Sequence, residues 1–350
     1  MADKQEGSVY GFQVDLSKGT LTQLAGSPFK ADVGNPTPGC TTGCSAELVS
    51  DPLGRFLYYD YYYAGSNGVT VLSVDPTTGA VTTDSKYTQP VYELSADPTG
   101  HYLYWNGGNG AQTAIGGLAV SGTGQLSPTP GQPYQYGYQE SYGNPAVTGK
   151  YVLAIEYMGA GATTGSLFEW TVDPATGTLT RTGNTMPVDK GGSPAVTPDG
   201  NFIYEEEAYL NNGVYYWQIV PVQVASDGGF VKLSQFAQQT PLQGTSPMFI
   251  SPDGNFLYIS VYGNIWLFQI NKTTGALTLV HKYTDIMANV LAIDPTGKFL
   301  FASPEGPNQA AGTTLTSYSI DATTGELTPV ANSTVDIQAT PIGLAVVRPK

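Results

Sequence analysis

The chain is poor in the residues that do most side-chain chemistry: two histidines, two cysteines and three arginines among 350 residues. Each scarcity excludes something. With a net charge of −14 and no clustered Lys or Arg, there is no surface to track phosphates, so nucleic acid is not an expected partner. Anionic membrane surfaces are disfavoured for the same reason. No apolar run is long enough to span a bilayer, and Met1–Gly7 lacks the apolar segment of a signal peptide. Nucleophile elbow, phosphate loop, dinucleotide fingerprint and zinc spacing are all missing. Charged residues make up 12% of the chain against 43 Gly, 25 Pro and 24 Tyr, a composition suited to turns and twisted strands rather than long helices.

What is present is a repeat of about fifty residues. Its first fixed point is a Pro-Gly turn: Asp51-Pro52-Leu53-Gly54, Asp97-Pro98-Thr99-Gly100, Thr197-Pro198-Asp199-Gly200, Ser251-Pro252-Asp253-Gly254 and Asp294-Pro295-Thr296-Gly297. An aromatic-rich strand follows, and then a Thr-Gly hairpin such as Thr77-Thr78-Gly79 or Thr323-Thr324-Gly325. Short strands and turns at this period predict an all-β, seven-bladed β-propeller of four-stranded antiparallel blades, one domain over residues 1–350. Inner strands are predicted near Ala46–Ser50, Tyr92–Ala96, Pro145–Thr148, Pro194–Thr197, Pro247–Ser251, Val290–Ile293 and Ile342–Val346. We number the units by these strands, from unit 2 at Ala46 to unit 7 at Val290. Unit 1 is split between 1–31 and 338–350, so that the C-terminal strand closes the ring and leaves no open seam. Its second strand should lie just before Gly7, where only Met1–Glu6 stands; a longer natural N terminus carrying a leader is therefore expected. Cys40 and Cys44, bracketing Thr41-Thr42-Gly43, fit a small loop disulfide worth about 2 kcal/mol better than a metal clip or redox pair, and fit a secreted, periplasmic or cell-surface protein.

In a propeller, ligands meet the loops before inner strands and after second strands. Those positions give an acidic, aromatic rim: Tyr58, Tyr59, Asp60, Tyr61, Glu93, Trp105, Asn106, Glu156, Tyr157, Ser193, the run Glu205-Glu206-Glu207, Tyr262 and Glu305. Aromatic faces beside carboxylates suit a neutral glycan or other small molecule. Converging carboxylates also suit Ca²⁺, which prefers oxygen ligands. In the Glu run, alternation sends Glu205 and Glu207 to one face and Glu206 to the other, so at least one must be exposed or paired. A solvated strand end is the plainer expectation for that run, as packing between blades is for each tyrosine.

Phe56-Leu57-Tyr58-Tyr59, Val69–Thr82 and Ser251–Ile259 resemble the lactonase family of seven-bladed propellers, which includes 6-phosphogluconolactonase and carboxy-muconate lactonizing enzyme. The resemblance covers essentially the whole chain. It implies an Arg-His pair before one inner strand and a Glu after the next strand. Aligned on Thr197-Pro198-Asp199-Gly200, those positions hold Gly192, Ser193 and Ala208, so Glu207 matches only with a one-residue shift. His101, His281, Arg55, Arg181 and Arg348 all fall on turns, outer strands or the tail. The resulting expectation is a monomeric, extracytoplasmic ligand-binding or scaffold propeller. The alternative is a lactone hydrolase or lactonizing enzyme using Glu205 and Glu207, with or without Ca²⁺, and not a 6-phosphogluconolactonase.

Overall fold

The computed structural model describes residues 1–3, 7–31, 45–63, 66–89, 91, 93–108, 113–137, 144–157, 164–189, 194–211, 214–240, 248–261, 263–286, 288, 290–304, 313–337 and 341–348. Units 2 to 7 are each an antiparallel sheet of four consecutive strands, forming the blades of an all-β propeller. Unit 2 runs Ser45–Ser50, Phe56–Tyr63, Ser66–Val74 and Val81–Tyr87. Units 3, 5 and 7 add a short fifth strand that pairs with the third. The inner strands touch in sequence order from unit 2 to unit 7, and Pro341–Gly343 lies between those of unit 7 and unit 2.

The turn chemistry explains the repeat. In unit 2 the Asp51 carboxylate accepts from the N–H groups of Leu53 (3.3 Å) and Arg55 (3.0 Å), while Gly54 closes the turn onto the Asp51 carbonyl at 2.9 Å. In unit 6 Ser251 takes the same place, its hydroxyl accepting from the Phe256 N–H at 3.0 Å. A short polar side chain at the first turn position thus satisfies backbone donors that the strands cannot reach.

Packing between units follows a rule of its own. At four junctions the first aromatic of the second strand lies under the hairpin glycine of the next unit: Tyr102 under Gly177, Phe202 under Gly275, Phe256 under Gly325 and Phe299 under Gly19. A Cβ on Gly177 would sit 2.3 Å from the Tyr102 ring, and φ there is +69°, so glycine is required twice over. Two residues on, a tyrosine donates its hydroxyl to the same glycine's carbonyl. These bonds are Tyr104 to Gly177 (3.1 Å), Tyr204 to Gly275 (3.0 Å) and Tyr258 to Gly325 (2.7 Å).

Unit 1 departs from the expectation. Its inner strand is Pro341–Gly343 rather than Ile342–Val346, and the third strand is broken into Ser8–Val9 and Phe12–Val14. The second-strand position is filled by Ala2–Asp3, which pairs with Pro341–Gly343 on one side and Ser8–Val9 on the other. Phe12–Val14 forms a separate hairpin with Leu21–Gln23. Among the described residues no helix is long and apolar enough to cross a membrane.

Candidate functional site

Carboxyl groups collect where the inner strands of units 2 and 3 begin. Glu47 on the inner strand of unit 2 stands directly opposite Asp60 on its second strand. Alternation turns both toward unit 3, away from the face on which Leu48, Tyr59 and Tyr61 join the core shared with unit 1. Asp60 is buried, whereas Glu47 keeps partial solvent access. The Asn144 amide, just before the inner strand of unit 4, donates to both Glu47 oxygens (2.8 and 2.7 Å) and to the Leu94 carbonyl of unit 3 (2.9 Å). One side chain therefore ties three successive units together.

Glu93 completes the group. It precedes the inner strand of unit 3 with φ +52°, a left-handed conformation that costs a non-glycine residue about 1–3 kcal/mol. Its backbone N–H, with that of Tyr61, donates to the Asp60 carboxyl. Burial drives the Asp60 pKa well above the usual carboxylate range, and the neighbouring Glu47 and Glu93 raise it further. Burial also pushes Glu47 up to about 7, against the opposing Asn144 bond. Both carboxyls of the pair are thereby pushed toward their protonated forms, with no cation among the groups acting on either.

The Glu205–Glu207 run behaves differently from its solvated expectation: all three glutamates are about 1% exposed. Glu205 and Glu207 share a strand face with Ile203, which joins the core between units 4 and 5 with Ile155, Val188 and Val222. Glu207 ion-pairs with Lys232 of the outer strand. Both Glu205 oxygens are buried without a hydrogen-bond partner. Burial, then the nearby Glu207, pushes Glu205 up to about 8, opposed by Lys232. Burial raises Glu207 as well, with Asp189 adding to the effect and Lys232 countering it. This is a wedge of acid groups between units, distinct from the inner-strand group.

Of the other rim residues, Tyr59 and Tyr61 belong to the core between units 1 and 2, so the tyrosine-rich strand end is largely packing. Trp105 packs against the core between units 2 and 3, and Asn106 on the same strand is fully buried. Glu156 and Tyr157 end the strand Tyr151–Tyr157, but their side chains lie outside the described residues, as do Ser193, Tyr262, Glu305, Cys40 and Cys44. Arg55 is held by Asp51 (2.7 Å) and the Gly100 carbonyl (2.6 Å), a structural clamp between units 2 and 3. Sequence reading missed Glu47, Asn144 and Lys232. A lone acid inside the apolar inner strand Ala46-Glu47-Leu48-Val49 was the available signal for Glu47; nothing local marks Asn144 as its partner.

Calcium fits this donor set poorly. The two Glu47 oxygens face the Asn144 amide, and among the described residues no three His, Cys, Asp or Glu side chains gather as metal ligands.

Residues 198–341 match the family described as lactonase, 7-bladed beta-propeller. A 6-phosphogluconolactonase of Formosa agariphila is 42% identical over 71 residues, a match spanning 18% of this chain and 20% of that protein. Two crystal structures share the fold over nearly the whole length. A putative 6-phosphogluconolactonase of Bacteroides fragilis has TM-score 0.68 and 19% identity, with 95% of this chain and 92% of that one covered. Its counterpart from Bacteroides uniformis gives 0.70 and 17%, with 95% and 93% covered. Repeat, turn chemistry and these matches agree on a β-propeller that is similar, over residues 198–341, to the lactonase family.

Proposed function

We propose that the chain hydrolyses small, uncharged lactones at the Glu47–Asp60 pair. The observation that carries this reading is the pair itself: two carboxyls at paired positions of the two innermost strands, each with its pKa raised by burial. In the proposed step Glu47, as carboxylate, takes a proton from water as the water oxygen attacks the lactone carbonyl. The ring C–O bond then breaks, and protonated Asp60 gives its proton to the departing alkoxide. The hydroxy acid leaves, and the proton on Glu47 returns to Asp60, restoring the pair. Asn144 keeps Glu47 oriented. A neutral substrate is favoured because, among the described residues, no cation acts on the pair and the chain carries −14 overall. The lactonase names of the relatives support the reaction class.

The split sheet of unit 1 is read here as a seventh blade, and residues 1–350 as one domain. Location outside the cytoplasm rests on the Cys40–Cys44 spacing. Protection of both thiols from alkylation before reduction would support it, and two free thiols would overturn it.

The test is pH-stat hydrolysis of a panel of neutral γ- and δ-lactones, with and without chelator. Turnover lost in Glu47→Gln and in Asp60→Asn, and unchanged by chelation, is the expected result. Turnover abolished by chelation would replace this mechanism with a Ca²⁺-assisted one. Absence of turnover, with saturable lactone binding that Glu47→Gln weakens, would make the site a binding site instead.

A further inference from the structure

The junctions between units are not alike. Between units 3 and 4, 5 and 6, and 6 and 7, a ring lies under the hairpin glycine and a tyrosine hydroxyl bonds its carbonyl. Between units 2 and 3 the glycine is Gly124, whose Cβ would meet Phe56 and whose carbonyl takes a hydroxyl bond from Ser85 at 2.8 Å. The junction between units 4 and 5 has neither part. Tyr151 and Leu153 stand at the two positions, so the hydroxyl is lost, and Gly228 covers the Glu169 carboxylate rather than a ring. A Cβ on Gly228 would lie 2.7 Å from Glu169 Oε2. Tyr151 is covered instead by its neighbour Lys150, whose ammonium donates to the Ser226 carbonyl (3.2 Å) at the exposed rim.

Acid fills the space. Glu169 comes from the third strand of unit 4, Thr164–Val172, and Glu205 and Glu207 from the second strand of unit 5, Phe202–Asn211. All three are buried. The Asn184 amide serves Glu169 Oε2 at 2.8 Å, but Glu169 Oε1 and both Glu205 oxygens have no hydrogen-bond partner among the described residues. Lys150 and Asp227 act on Glu169, Lys232 acts on Glu205 and Glu207, and Asp189 acts on Glu207. Three buried acids and two more at the margin thus meet two lysines, both engaged: Lys150 by a carbonyl and Lys232 by Glu207. A buried carboxyl without a partner is tolerated as the neutral acid, while its charged form is driven toward water.

We infer that the circle opens first between units 4 and 5, and that this seam is an alkali-sensitive latch: it stays shut while its carboxyls carry protons and parts as they lose them. Parting breaks no strand ladder, because each blade keeps its own sheet. It sets Glu169 and Glu205 in water and uncovers their apolar neighbours Leu167, Met186, Ile203 and Val222. The Asn144 clamp on units 2 to 4 and the tyrosine bonds on units 5 to 7 lie on either side of the seam and are left intact. No part of the latch involves Glu47 or Asp60, so it operates whether or not that pair hydrolyses lactones.

Burial holds Glu205 up at about 8, against its ordinary 4.5 once water reaches it. The closed form therefore carries the extra proton. The opening equilibrium rises about tenfold per pH unit between those values and levels above pH 8. Met186 reports this in the unaltered chain. It is 6% exposed inside the seam, and its thioether, with no proton to lose, takes oxygen from dilute hydrogen peroxide to give the sulfoxide and water. Met248, partly buried in the seam between units 5 and 6, and Met1, in the core between units 7 and 1, are internal references.

Oxidation of the three is followed by peptide mass spectrometry from pH 6 to 8.5. The Met186 rate should climb about twentyfold between pH 6 and 7.5 relative to both references. Glu205→Gln keeps the side-chain shape without the proton and should flatten that climb. A Met186 rate that tracks the references at every pH would overturn the inference in the native chain, whether or not the Gln variant folds. So would a climb that Glu205→Gln leaves unchanged, which would place the titrating group elsewhere.

Discussion

Asp60 and Glu206 stand at the same step of their strands, four residues after Phe56 and Phe202, yet the acid groups around them are built in opposite ways. Asp60 looks across to an acid on the inner strand, Glu47, at a place with partial access to water. Around Glu206, the extra acids Glu205 and Glu207 flank it along the chain and so point to the other face, into the seam between units 4 and 5. Among the described residues, the first arrangement has a hydrogen-bond donor, Asn144, but no cation, and the second has a cation, Lys232, and an acid, Glu205, with no donor. Raised pKa values occur in both, so they do not by themselves identify a reactive site. Access and facing geometry separate the two groups.

The comparison breaks most visibly in activity. Glu47→Gln should lower lactone turnover by about 10²–10⁴-fold, whereas Glu207→Gln should leave it within about twofold; the reverse order would move the chemistry to the seam. Stability should invert the ranking. Lys232→Ala leaves Glu207 buried beside Asp189 without its counter-charge, at a cost of about 3 kcal/mol. That is the low end for a broken buried pair, because Lys232 is partly exposed and Glu207 can take up a proton. Urea unfolding at pH 7 measures it.

Proton linkage sharpens the contrast further. Glu205 and Glu47 bind protons more tightly folded than unfolded, so the native state holds more protons between the unfolded value near 4.5 and their folded values of about 8 and about 7. Stability therefore falls as pH rises through that window. Glu205→Met should remove the part of the fall that reaches pH 8 and add about 1 kcal/mol at pH 8, with turnover unaffected. Glu47→Gln should remove only the part that ends near pH 7. The smallest effect serves as a control: Tyr258→Phe deletes the buried bond to the Gly325 carbonyl, costing about 1 kcal/mol with no change in turnover.

Much of the fold was legible because its signals are local. An Asp-Pro-x-Gly turn caps its own backbone, and the hairpin Asp does likewise, as where Asp75 accepts from Thr77 (2.9 Å) and Thr78 (2.7 Å). Unit 1 was legible only in outline, because its strands are two or three residues long and come from both ends of the chain. The site was half legible. Asp60 and Glu93 follow from strand position, but Glu47 acquires its meaning from Asn144, 97 residues away, and from burial that alternation does not predict. The Glu run misled for the same reason. Three consecutive acids normally mark a solvated edge, and the sequence holds no local sign that Lys232 waits two strands further out.

The ring under the glycine is a bond between units rather than within one. Every junction that has it presents the same two surfaces, an aromatic edge and a bare Cα. A gene segment encoding one unit, duplicated or deleted whole, would restore an identical junction on both sides of the change. Such a lock carries no record of how many units the circle contains. Descent by tandem copying is then free to alter their number, and closure selects only those counts whose curvature brings the two ends together.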